Sequence, residues 1–304
     1  MKAMIMAAGF GTRLRPLTDN LPKALVPVLN RPVLERNIEY LGSYGIKDII
    51  INAHYHSDLL QDFTASCKIS GISLTVSIEK EILGTGGGIA RCREFLKDST
   101  FIVINSDILT DINLDQAAKW HLESGDPVTM IVHDCPRFNQ IDITPDSRVK
   151  AIYKNTAPGR MAFTGIHILS PEIFDFLPED GYADIISDGY NPLLESGRSI
   201  NAFIAADHYW YDIGTIESYK KATLDFLNLE NKKFIKGDNT HIDPTAALRN
   251  WAVIGNNVTI GRDAVIDSSI IWDNAVIEDG VHVKDSIVTN ERNIVRVSET
   301  DNSS

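Results

Sequence analysis

Two cations near the N-terminus, Arg13 and Lys23, stand where chemistry on a phosphate is feasible. An apolar run, Met4 to Ala8, breaks at Gly9-Phe10-Gly11 into Thr12-Arg13-Leu14-Arg15, and Pro22-Lys23 follows. A strand feeding a glycine turn presents backbone N–H groups to an anion, and the spacing predicts a helix start just beyond. Local charge agrees. Residues 1–23 carry a net +3, although the chain as a whole is at −12 and the remainder therefore at −15. A positive loop on an acidic chain predicts an anionic ligand.

Two familiar phosphate motifs fit these letters badly. The dinucleotide fingerprint wants a third glycine where Leu14 stands, and a Walker A loop needs G-K-[ST], which does not occur. The string G-x-G-T-R-L-x-P, with P-K shortly after, instead resembles the signature loop of the sugar-1-phosphate nucleotidylyltransferases. That resemblance implies nucleotide binding by Ala8, Gly9, Gly11, Thr12 and Arg13. It also implies transfer of a nucleoside monophosphate from a triphosphate to a sugar 1-phosphate, with pyrophosphate leaving. Arg13 is then expected at the β- and γ-phosphates, and Lys23 nearer the α-phosphate and the attacking phosphate.

Charge bookkeeping extends the reading to a metal. A triphosphate carries about four negative charges, and a cation 4 Å away gains only about 4 kcal/mol per charge pair at an effective dielectric of 20. Arg13 and Lys23 fall short, so a divalent ion is expected, and magnesium takes one or two carboxylates plus substrate phosphates. Asp107 closes the apolar strand Ile104-Asn105-Ser106-Asp107. Asp212 lies in Tyr209-Trp210-Tyr211-Asp212-Ile213-Gly214-Thr215, ahead of a glycine turn. By resemblance, aspartates at a G-D-like strand end and in a W-x-D-x-G-T segment hold magnesium jointly. Both match here, with Ser106 in place of the usual glycine. Loop or helix-start capping is the competing reading for each, and Asp111 is read as a turn or cap residue.

A second glycine cluster, Gly84-Thr85-Gly86-Gly87-Gly88, precedes a helix expected from about Ile89. By resemblance Gly84, Thr85, Gly86 and Gly87 lie against the nucleobase and sugar ring. Gly165, in Phe163-Thr164-Gly165-Ile166, and Asn105 are the sugar-phosphate candidates. Many relatives carry an E-K-P element shortly before; this chain has Tyr153-Lys154-Asn155 and keeps only the lysine. Lys154 is thus a candidate for the sugar phosphate, and the departure points to the subgroup of muramate-type uridylyltransferases and heptose or mannose guanylyltransferases. Asn52 has a suitable address after a strand, whereas Glu195 reads as a surface residue. His54-Tyr55-His56 reads as loop chemistry rather than a metal pair, His133-Asp134-Cys135 matches no nucleophile signature, and Trp210 reads as packing.

These residues need a scaffold, and the chain alternates strands with helices. A helix over 33–44 and strands over 46–52, 74–78, 100–104, 128–133 and 163–169 predict an α/β fold, a Rossmann-like, mostly parallel sheet covered on both faces. Ligands bind beyond the carboxyl ends of such strands, which singles out Gly9, Asn52 and Asp107. After about residue 235 aliphatic residues recur every six positions (Ile242, Leu248, Ile254, Ile260, Ile266), then Ile271, Ile277, Val283 and Val288 with two five-residue steps. Small or aliphatic residues follow four later, from Ala246 through Ala252, Val258, Ala264 and Ile270 to Val281 and Ile287. A sustained period of six predicts a parallel β-helix, and the resemblance makes it the short C-terminal left-handed one. The expected organisation is a catalytic domain at 1–234, hexapeptide coils at 235–290 and a fraying polar tail at 291–304.

Composition bounds the rest. At 304 residues and 43% apolar content the chain holds a large domain and a small one, with no apolar run of membrane-spanning length and no signal-peptide layout. Its acidity argues against nucleic-acid partners, and Cys67, Cys92 and Cys135 suit a reducing cytosol rather than a disulfide framework. A homo-oligomer is compatible with these features. GTP with mannose 1-phosphate is the first substrate pair suggested, and UTP with a glucose- or muramate-type phosphate the second. A cytidylyltransferase acting on an amino-alcohol phosphate shares the loop. A catalytically silent nucleotide-binding regulator would be expected to lose one of Arg13, Lys23, Asp107 and Asp212, and all are present.

Overall fold

The structure is a computed structural model in which residues 1–289 and 294–296 are described. The chain forms two compact units. One is Met1–Phe10 with Leu21–Ala24 and Leu34–Tyr211; the other is Gly11–Asn20 with Leu25–Val33 and Asp212–Ser304. The division after Tyr211 precedes the change of sequence rhythm near residue 235.

The first unit is built on a nine-stranded sheet. Strands β1 (Lys2–Met6), β2 (Asp48–Ala53), β3 (Ser73–Ile78) and β4 (Phe101–Asn105) are its parallel centre, in the order β4-β1-β2-β3. Helix α1 (Val33–Ser43) buries Leu34, Ile38 and Leu41, one face of a helical period. Helices α2 (Ser57–Ser66) and α3 (Gly84–Arg91) complete the crossovers. The chain therefore winds outward from β1 to β3 and returns to the other side of β1. That reversal opens a crevice at the carboxyl ends of β1 and β4.

Helix α4 (Leu114–Ser124) starts on the Asn113 side chain, which accepts the Gln116 N–H, and stops at Gly125 in the left-handed region. Beyond β4 the direction reverses. β5 (Val128–His133) and β8 (Met161–Leu169) are antiparallel to each other, and β8 is antiparallel to β4. The strands β6 (Asn139–Ile143), β7 (Val149–Ile152) and β9 (Ile200–Ile204) extend the sheet and escaped the sequence pattern. β6 and β7 are short and partly exposed, so their letters mix polar and apolar.

The second unit contains α5 (Ile216–Leu229), opened by a capping box in which Thr215 and Ser218 satisfy each other's backbone N–H groups. Downstream, short strands pair in parallel at offsets of 17 or 18 residues: Phe234 with Ala252, Ala247 with Val265, Thr259 with Val276, Ile270 with Ile287. The six-residue series shares one apolar core, including Ile254, Ile260, Ile266, Ile271, Ile277 and Val283. Ala275, four residues after Ile271, lies in the same core. Asn and Asp side chains stack at the corners: Asn256 Oδ1 accepts the Asp238 N–H, and Asp273 Oδ1 accepts the Asn256 N–H. Within the expected polar tail, Ile294–Arg296 is a strand antiparallel to Ser286–Val288, with Val295 opposite Ile287. The rest of that tail, residues 291–293 and 297–304, lies outside the described residues, as does residue 290. Among the described residues no helix is long and apolar enough to cross a membrane.

Candidate active site

A cleft lies at the reversal of strand order in the first unit. Its floor comes from register: Met6, the last residue of β1, pairs with Asn52 on one side and Asn105 on the other. Ala7, Ala8 and Gly9 leave β1 along one wall, and Ile82, Gly84 and Thr85 form another. Lys23, Ser106 and Asp107 close a third.

Lys23 Nζ donates to Asp107 Oδ2, each side chain keeping 15% exposure. The loop bearing Asp107 is tied down by the Ser106 N–H to Met6 O at 3.1 Å and by Asn37 Nδ2 to Ser106 O at 3.1 Å. The structure thus brings together Ala8, Gly9, Lys23, Gly84, Thr85, Asn105 and Asp107. Gly165 (φ 77°) lies behind Asn105: a Cβ there would sit 2.7 Å from Asn105 Nδ2, so glycine lets that side chain approach the β8 backbone. Lys154 is exposed on the turn after β7, over which Gln140 Nε2 donates to its carbonyl, and does not line the cleft.

The second glycine cluster differs from expectation. Helix α3 begins at Gly84, not near Ile89, so the glycines are inside it. Gly86 and Gly87 donate their N–H groups to Ala183 O at 2.8 and 3.1 Å, while Ala183 N–H donates to Leu83 O. A Cβ on Gly84, held at φ 71°, would stand 2.5 Å from Ala183 O. The glycines therefore admit the strap at residues 181–185, and of the cluster only Gly84 and Thr85 reach the cleft.

In the second unit Gly11 (φ 63°) opens not an α-helix but one 3₁₀ turn, Thr12–Leu14. Pro16 pushes Arg15 to an extended conformation (ψ 141°), which ends the turn. Thr18 Oγ1 donates to Gly11 O at 2.8 Å, and Leu14 and Leu17 are buried beneath. Here Arg13 and Asp212 meet at Gly214: a Cβ on Gly214 would be 2.8 Å from Arg13 Nη2 and 2.5 Å from Asp212 Oδ1. Asp212 Oδ1 accepts the Gly214 N–H at 2.6 Å. Thr215 caps α5, so the helix does not need Asp212 as its cap.

Asp111 departs from the expected turn or cap role: its Oδ1 accepts the distant Tyr209 N–H at 2.8 Å, and Asn113 is the residue that caps α4. Trp210 Nε1 donates to Thr164 O and the ring packs against His133 and Phe138. His54 Nδ1 meets Glu79 O at 2.9 Å, and Phe10 packs edge-on against the His54 ring. Glu195 is exposed at the end of a short helix. All three cysteines are free thiols; burial pushes Cys135 up and Cys92 up to about 11, away from thiolate chemistry. Among the described residues no cluster of three or more His, Cys, Asp or Glu is arranged to hold a metal.

Glu79 went unnoticed in the sequence. It is buried at 3% exposure on the cleft wall, and its signal was its place directly after a parallel strand. The same rule had picked out Asn52 and Asp107.

The nucleotidyl transferase family profile matches residues 2–228, and a profile described as the GMPPB C-terminal domain matches residues 231–304. A UTP–glucose-1-phosphate uridylyltransferase of Synechocystis is 31% identical over 76% of this chain and 65% of its own length. The chain thus spans just under two thirds of that relative. A mannose-1-phosphate guanyltransferase of Debaryomyces hansenii is 31% identical over 82% of this chain and 73% of its own. The crystal structure of HddC from Yersinia pseudotuberculosis complexed with GMP-PN superposes with a TM-score of 0.65 at 29% identity, covering 74% of this chain and 99% of HddC. The chain belongs to the nucleotidyl transferase family, among its sugar-1-phosphate nucleotidyltransferases.

Proposed function

We propose that this protein transfers a nucleoside monophosphate from a nucleoside triphosphate to a sugar 1-phosphate, with GTP and mannose 1-phosphate as the first pair. A phosphate oxygen of the sugar 1-phosphate attacks the α-phosphorus. A new P–O bond forms, the bond from the α-phosphorus to the bridging α–β oxygen breaks, and pyrophosphate leaves with that electron pair. Such chemistry asks for positioning and charge neutralisation rather than covalent help from the protein. The observation that carries the reading is the Lys23–Asp107 pair in the cleft beside Ala8 and Gly9.

In this scheme Ala8, Gly9, Gly84 and Thr85 bound the nucleotide, and Lys23 faces the α-phosphate and the attacking phosphate. Asn105, backed by Gly165, borders the sugar phosphate; Lys154, a sugar-phosphate candidate by resemblance, lies outside the cleft. In its own unit Arg13, on the turn with Gly11 and Thr12, is assigned to the β- and γ-phosphates. Asp107 and Asp212 offer hard carboxylate oxygens of the kind magnesium takes alongside substrate phosphates. When bound, that ion would offset the negative charge of the triphosphate. Guanine is favoured by the guanyltransferase relatives and the C-terminal profile; UTP with a glucose- or muramate-type phosphate is the alternative. The 17–18-residue offsets and corner ladders support a left-handed β-helix after residue 235, and three free thiols support a cytosolic setting.

The test is pyrophosphate release across a matrix of nucleoside triphosphates and sugar 1-phosphates with magnesium. One strongly preferred pair is expected. A triphosphate that binds without turnover for any acceptor would favour the silent regulator instead.

A further inference from the structure

Asn52, near the end of β2, and Glu79, immediately after β3, are buried at 1% and 3% exposure between the phosphate-facing loop and the start of α3. Three hydrogen bonds run through them in series. The Ala7 N–H donates to Asn52 Oδ1 at 2.7 Å. Asn52 Nδ2 donates to Glu79 Oε1 at 2.7 Å. The Leu83 N–H, one residue ahead of Gly84, donates to Glu79 Oε2 at 3.0 Å. Both ends of the series are backbone N–H groups, which can only donate. Ala7 therefore orients the Asn52 amide with its oxygen toward the loop and its nitrogen toward Glu79, and Leu83 occupies the other carboxylate oxygen. Position 79 must accept on both oxygens. An ionised carboxylate does so; a carboxamide of the same shape does not. Space is equally restricted, since a Cβ on Gly88 would lie 2.9 Å from Asn52 Nδ2 and 3.0 Å from Glu79 Oε1.

We propose that Asn52 and Glu79 form a strut of fixed hydrogen-bond polarity that sets the separation of the Ala7–Gly9 wall from the Gly84–Thr85 wall, which makes both of them positioning residues for the nucleotide. The proposal rests on reading the cleft as the nucleotide site. Its function is to hold the two walls at one spacing before substrate arrives, so that ordering the loop is not charged against binding.

The polarity allows an isosteric exchange as the test. Glu79→Gln sets two donors against each other, or turns the Asn52 amide and strands the Ala7 N–H. Asn52→Asp sets two carboxylates face to face. The double variant Asn52→Asp/Glu79→Gln restores every bond: the carboxylate at 52 accepts from Ala7 and from the carboxamide at 79, whose oxygen accepts from Leu83. Triphosphate affinity by calorimetry, KM and kcat, and amide exchange at Ala7 and Leu83 are measured for all four proteins. Each single variant is expected to weaken triphosphate binding about tenfold or more, with kcat falling less, and to speed exchange at both amides. The double variant returns to within about threefold of wild type, and it keeps the test readable if a single variant does not fold. Wild-type binding by Glu79→Gln, or a double variant no better than the worse single, overturns the strut. If the wild-type protein binds no triphosphate, the reading of the cleft falls separately. Amide exchange then decides: loss in the single variants and recovery in the double supports the strut, and unchanged exchange overturns it.

Discussion

At the scale of single residues, the chemistry concentrates on Lys23 and Asp107, which share charge in a cleft that keeps 15% of each side chain exposed. At this exposure the pair is largely shielded from water, so attraction and desolvation nearly offset each other and the pair adds little net stability. Stabilisation of charge developing on a transferred phosphoryl group is worth far more. Lys23→Met is therefore expected to lower kcat/KM about a hundredfold or more, while urea unfolding falls by about 3 kcal/mol or less, the cost of leaving Asp107 without its partner. A stability loss with kcat/KM unchanged would make the pair a structural one. Arg13, Lys23 and Asp212 stand out in the sequence beside glycine, proline or aromatic letters, and Asp107 stands out by closing an apolar strand. Glu79 was not, because Ser77-Ile78-Glu79-Lys80-Glu81 reads as an ordinary charged turn, and only its address beyond β3 distinguishes it.

At the scale of elements, parallel strands were legible and what surrounds them was less so. Buried parallel strands are written as near-continuous aliphatic runs, so β1, β2 and β4 stand out from their letters alone. The glycines at 84–88 read as a loop because glycine disfavours helix, yet they are helical: the strap at 181–185 needs their missing side chains, a contact about a hundred residues away in sequence. This gives a paired prediction. Gly45 and Gly84 have similar φ, 75° and 71°, but Gly45 faces open space and Gly84 faces Ala183 O. Gly45→Ala should cost about 1 kcal/mol for the left-handed conformation alone, and Gly84→Ala about 2 kcal/mol or more, read from urea midpoints. Only Gly84→Ala should also weaken triphosphate binding. Equal costs would mean that the strap gives way. At α5, Thr215→Ala should lower stability by about 1 kcal/mol through loss of the capping box.

At the scale of the molecule, the sequence carried two rhythms, a βα alternation and a period of six, and each became its own kind of core. The antiparallel strands that continue the first sheet are where pattern gave out and tertiary pairing decided. Those strands also bury the groups that set the response to acid. His167 on β8 is enclosed, its Nδ1 hydrogen-bonded with Tyr190 OH, and burial holds it down to about 3 from an ordinary 6.5. His121 on α4, between Thr129 Oγ1 and Ser170 Oγ, is lowered by the same cause. His167 stays neutral in the folded chain down to about pH 3 and takes up a proton when the chain unfolds; the shift at His121 has the same direction. Between pH 6.5 and 3 the unfolded state thus binds more protons at His167, and stability falls as pH drops, by about 1.4 kcal/mol per pH unit from this residue. Above 6.5 the contribution is complete and flat. Urea unfolding of wild type and His167→Gln from pH 7.5 to 5.0 tests this. The variant begins less stable, because Tyr190 loses its hydrogen-bond geometry, but its stability should decline less steeply below pH 6.5. Parallel slopes would mean that His167 becomes charged inside the folded protein, and acid sensitivity would then have to come from elsewhere in the sheet.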